Sequence, residues 1–85
     1  MANHASAAKR HRQNIKRNTR NSALRSRMRR AIREARAAVE ENAENRNELV
    51  SKAIQVVNQT ASKSVIHKNT ASRYVSRLSK LEQRA

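Results

Sequence analysis

Ligation or acid–base chemistry in this chain would have to rest on three histidines, His4, His11 and His67, and on the carboxylates Glu40, Glu41, Glu44 and Glu48. The histidines form no i, i+4 pair, and there is no cysteine to complete a zinc set. The glutamates fall in the polar stretch "EENAENRNEL", where the start of a helix attracts acids for electrostatic reasons alone. Serines are plentiful, but none has a base at a spacing that would activate it. The sequence therefore implies no catalytic residue, no metal ligand, no cofactor and no small-molecule substrate.

A second kind of chemistry is dense. The stretch "KRHRQNIKRNTRNSALRSRMRR" holds Lys9, Arg10, Arg12, Lys16, Arg17, Arg20, Arg25, Arg27, Arg29 and Arg30, and not one acid. Like charges at helical spacing repel one another, so the neutralising charge has to come from a partner. Arg outnumbers Lys fourteen to six. That bias favours bidentate binding of phosphate over plain solubility, which Lys would serve as well. The whole chain of 85 residues carries a net charge of +14. Its ends are basic, while residues 37–62 set four glutamates against Arg46 and Lys52.

Something must hold these charges in order, and the missing residues say what. Gly and Pro are both absent, which disfavours hairpins and phosphate-cradling loops and favours helices joined by Asn and Ser. Leu24, Met28, Ala31, Ile32, Ala35 and Val39 fall on one helical arc of roughly 100°, with Arg25, Arg27, Arg29, Arg30, Arg33 and Arg36 on the rest of the wheel. Upstream the stripe fails, because Arg10 and Arg17 occupy its continuation. A second apolar face runs through Leu49, Val50, Ala53, Val56, Val57 and Ala61, and a third through Ala71, Tyr74, Val75, Leu78 and Leu81. Arg73, Arg77, Lys80 and Arg84 line the back of that third helix.

These patterns predict one all-α domain over residues 1–85, an antiparallel three-helix bundle whose long first helix extends beyond it. The expected parts are a basic extension over about 6–21, the rest of helix 1 over 22–44, helix 2 over 47–63 and helix 3 over 68–84. Asn45 and Glu48 have the spacing of a capping box for helix 2. The extension should be helical inside a polyanion and frayed without one.

Nucleic acid is the favoured partner. A membrane-active helix would call for Trp or Phe at the interface, and the chain has neither. No apolar run reaches the roughly 20 residues of a membrane span, and "MANHASAAKR" lacks the apolar centre of a secretory signal. A cytoplasmic protein that does not self-associate is expected. With Tyr74 as its single aromatic, the chain lacks the stacking platforms of many single-strand readers. It also lacks the zinc-finger or zipper patterns that organise DNA half-sites. Reading of backbone shape in a folded RNA fits best, with a nucleoid-type DNA-binding protein as the alternative.

The runs "MANHASAAKRHRQNIKRN", "NSALRSRMRRAI" and "KSVIHKNTASRYVSRL" closely resemble bacterial small-subunit ribosomal proteins of the S-twenty family, in order and over nearly the whole chain. The resemblance implies a three-helix bundle that binds 16S ribosomal RNA early in small-subunit assembly, with other subunit components as neighbours. It maps the family's basic N-terminal positions onto Lys9, Arg10, Arg12, Lys16 and Arg17. The family's helix 2–helix 3 corner maps onto Lys63, His67, Lys68, Asn69 and Arg73, and Arg77 continues that face. Two departures from the family pattern stand out. Ser64 stands where Gly is usual, and Tyr74-Val75 where basic residues are common.

Overall fold

With no helix breaker from end to end, the chain makes three helices and two short turns. The computed structural model describes residues 2–84. Helix α1 is Ala2–Glu40, α2 is Arg46–Ser62 and α3 is Lys68–Arg84. At 1.5 Å per residue α1 is about 58 Å long, against about 25 Å for each of the others. The molecule accordingly measures 62 × 21 × 13 Å. Its radius of gyration, 17.3 Å, far exceeds the roughly 12 Å of a compact chain of this length.

Both turns stop a helix without glycine. Asn42 takes a left-handed φ of 56° and its N–H donates to the Val39 carbonyl at 3.2 Å. The next N–H, of Ala43, donates to Ala38 at 2.9 Å. Ser64, at φ 61°, does the same at the end of α2: Ser64 N–H donates to Ala61 at 2.9 Å and Val65 N–H to Thr60 at 3.2 Å. Each pair of bonds is a Schellman motif, which satisfies carbonyls the helix end would leave open. Because Asn42 enters the left-handed region, α1 stops at Glu40, four residues short of the expected 44.

The capping box expected at Asn45 and Glu48 does not form. Asn45 is the N-cap residue of α2, but its side chain makes no cap hydrogen bond. Arg46 does the polar work at this bend, donating from Nη1 to the Ala43 carbonyl at 2.9 Å. Asn45 sits at φ −90°, ψ 14°, outside the extended region in which an N-cap side chain meets the open N–H groups.

The core is made by the second half of α1, the buried face of α2 and one stripe of α3. Met28, Ala31, Ile32 and Ala35 pack with Val50, Ala53, Val56, Val57, Ala71 and Leu78. Alanines at facing positions let the helices approach closely, and α1 and α2 make the broadest contact while α1 and α3 make the narrowest. With no Phe or Trp, burial comes from side chains worth roughly 1.5–3 kcal/mol each at most, so the bundle rests on few anchors. Thr60, the one polar residue buried among those described, donates its hydroxyl to the Val56 carbonyl at 2.7 Å.

Candidate nucleic-acid interface

The leading half of α1 has nothing of its own chain to pack against. Every residue from Ala5 to Arg20 is exposed. Lys9, Arg10, Arg12, Lys16, Arg17 and Arg20 are therefore all exposed on a free rod, gathered within about 160° of its circumference. Arg10 and Arg17 lie on the continuation of the face that, farther along the helix, carries Leu24, Met28 and Ala35. Ile15, on the opposite side, is 52% exposed, the one large apolar side chain so placed among the described residues. Thr19 returns its hydroxyl to the Ile15 carbonyl at 2.9 Å, so it does not interrupt the helix.

Where the rod enters the bundle, the topology brings a second basic group beside it. The antiparallel course of α2 returns the α2–α3 corner to the root of the rod, and Arg25 Nη2 donates to the Val65 carbonyl at 3.4 Å across that junction. Arg25, singled out as a phosphate binder, thus also ties the rod's root to the corner. Lys63, His67, Lys68, Asn69 and Arg73 are all exposed there or on the first turns of α3. Val65 is buried beneath them and anchors the corner. Rod and corner together form one positive end. Glu40, Glu41, Glu44 and Glu48 are exposed at the opposite end, beyond the buried part of α1.

His67 has a duty inside the chain that the sequence did not suggest. Its ring Nδ1 accepts the Asn69 N–H at 3.1 Å, so the imidazole caps the start of α3. The accepting nitrogen carries no proton, so in this ring the N–H is on Nε2.

Other predicted residues are not gathered. Arg27, Arg29 and Arg30 are exposed around the back of α1 alongside the bundle, spread over more than a quarter turn. Arg77 lies farther down α3 in a groove facing α1, with Arg36, Tyr74 and Lys80. Sequence reasoning puts Tyr74 in a core stripe and does not single out Arg36 or Lys80 as ligands. Only their meeting across two helices marks them.

Among the described residues no three His, Cys, Asp or Glu side chains cluster as a metal site would need, and no helix is long and apolar enough to cross a membrane. A small bundle that continues into an unpartnered cationic rod has the build of a structural protein for a polyanion. Sequence comparison narrows this. Residues 2–82 match the family model described as Ribosomal protein S20. The chain is 50% identical over 80 residues to the small ribosomal subunit protein bS20 of Maridesulfovibrio salexigens, covering 93% of this chain and 92% of the relative. It is 52% identical over 81 residues to the bS20 of Syntrophobacter fumaroxidans (94% of each chain), and 49% identical over 82 residues to that of Geobacter sulfurreducens (95% and 94%). The chain belongs to the ribosomal protein S20 family, and it is a ribosomal structural protein, not an enzyme.

Proposed function

We propose that the protein binds 16S ribosomal RNA directly in the small ribosomal subunit and supports an early step of its assembly. The observation that carries this reading is the exposed rod over residues 5–20, which bears six bases and no acid and is continuous with the basic α2–α3 corner. A helix with six uncompensated bases and no packed face is self-repelling in water and is favoured beside a dense array of phosphates. A folded RNA, where backbones converge, supplies such an array.

In this reading Lys9, Arg10, Arg12, Lys16, Arg17 and Arg20 neutralise phosphates around the rod and release their counterions. Lys63, His67, Lys68, Asn69 and Arg73 fix orientation at the corner, and Arg25, Arg27, Arg29, Arg30 and Arg77 extend the contact along the bundle. Such contacts position the protein, and the fold of the RNA provides selectivity. The acidic bend faces away from RNA, toward solvent or neighbouring components of the subunit. Chemical footprinting of 16S RNA with and without the purified protein tests this. A compact protected region is expected. Protection absent from 16S RNA, together with equal affinity for random duplex DNA, would instead support a nucleoid-type role.

A further inference from the structure

Because α1 and α3 touch least of the three helix pairs, an open groove remains between them. Its floor is apolar: Ile32 from α1 and Leu78 from α3, both buried. Leu81 and the half-buried ring of Tyr74 form its walls. Arg36 from α1 and Arg77 and Lys80 from α3 stand exposed at its rim, and no carboxylate lines it. The cavity is about 240 Å³, below the roughly 300–1,000 Å³ of most small-molecule sites. On the other side of Tyr74 and Arg77 lies a smaller, more polar recess completed by Thr70 and Arg73. Tyr74 is thus a partition with an apolar compartment on one side and a cationic one on the other.

We infer that this double groove takes a single unpaired nucleotide of the bound RNA, with its base in the apolar compartment against Tyr74 and its phosphate beside Arg73 and Arg77. The inference rests on the RNA reading above and adds to it a base-contacting site. Two features select this occupant. An apolar slot rimmed by cations and free of acids asks for a ligand that is flat and apolar in one part and anionic in the next. A nucleotide out of its helix meets both demands, since aromatic faces stack bases of any identity. Paired RNA meets only one, because its bases are not available to the ring. The stems of Arg36, Arg77 and Lys80 shield the groove walls in the free protein, as long cationic side chains do, but their heads still need a counter-charge.

Tyr74 is the only aromatic residue, so the intrinsic fluorescence of the intact chain reports this groove and nothing else. A short single-stranded oligoadenylate should quench it, whereas a blunt RNA duplex of equal length, held by the rod, should leave it unchanged. Tyr74→Leu should weaken oligoadenylate binding about tenfold, within the range for one base on one aromatic face, and change duplex binding by less than twofold. Tyr74→Phe should restore the affinity. Arg73→Gln with Arg77→Gln should make the salt dependence of oligoadenylate binding shallower by about 0.7 for each phosphate no longer neutralised. Circular dichroism of each variant separates damage to the site from damage to the bundle. Oligoadenylate binding without quenching, equal quenching by the duplex, or equal quenching by a polyglutamate peptide overturns the inference. In the first two cases a retained 16S footprint leaves the RNA reading standing. Absence of the footprint with the native protein removes both.

Discussion

The two halves of α1 are one continuous helix, both rich in bases, yet they answer to different partners. Residues 21–40 interleave an apolar stripe with arginines, and the stripe is buried: Met28 is 3% exposed and Ala35 0%. Residues 5–20 put arginines on that stripe and are exposed throughout. The helical hydrogen bonds are the same in both. What differs is who supplies the energy for ordering them: neighbouring helices in one half and, in the function proposed above, a polyanion in the other. A helix of about twenty residues with strong self-repulsion and no packed face is marginal by itself, so its free and bound states should differ more than those of any other part.

The sharpest break between the halves should come from the core. Leu78→Ala leaves a cavity against α1 and should cost about 2–5 kcal/mol, a large part of the roughly 4–13 kcal/mol available to a chain of this length. Thermal denaturation followed by circular dichroism should then show the bundle largely unfolded near 37 °C. Amide exchange of the free native protein should meanwhile protect residues 28–38 strongly and residues 8–20 scarcely at all. Strong protection of 8–20 would mean that the rod is stable alone and that the two halves do not differ.

Charge removal should act in the opposite way. Arg10→Gln with Arg17→Gln keeps helix propensity nearly unchanged and touches no core residue, so the stability of the bundle should stay within about 0.5 kcal/mol, as for surface substitutions generally. The plot of log affinity for 16S RNA against log salt should become shallower by about 1.4 to 1.8 for two phosphates no longer neutralised. Glu40→Gln with Glu41→Gln at the far end should leave the slope alone. A slope that moves with the glutamates and not the arginines would reverse the assignment of the RNA end.

Smaller effects are expected at the turns. Ser64→Gly should stabilise the free bundle by about 1 kcal/mol, since a left-handed φ costs a residue with a Cβ and not glycine. Asn42→Gly should gain less, because Asn tolerates that region better. Equal gains at both would show that side-chain hydrogen bonding, and not φ, sets the difference. His67→Ala should cost about 0.5 kcal/mol, the low end for removing a cap at an exposed helix start, and His67→Asn should recover it. RNA affinity falling equally in His67→Ala and His67→Asn would assign His67 to the RNA contact in addition to the cap.

Much of this molecule was legible one residue at a time. Zero glycine and zero proline pointed away from sheet and hairpin, and the 3.6-residue recurrence of Leu24, Met28, Ala35 and Val39 identified the buried face of α1. The same wheel, failing at Arg10 and Arg17, identified the rod. These are local signals, set by backbone sterics and by which side chains water rejects, and they survive without knowledge of any neighbour. Pairings across the bundle were not legible. Asn45 has the residue type of a cap and makes none, because its backbone at φ −90°, ψ 14° lies outside the extended region an N-cap takes. Arg25 reads in the sequence as one phosphate ligand among ten, yet it reaches Val65, forty positions away, and closes the corner onto the rod. Tyr74 reads as one more member of an apolar stripe. Only the narrow meeting of α1 and α3, which sets Arg36 across from Arg77 and Lys80, turns it into the wall of a groove. The sequence by itself determined three helices, their buried faces and the demand for a polyanion. Tertiary structure decided where those helices leave space and which charges stand together, because a through-space contact depends on the chain's return path and no local periodicity encodes it.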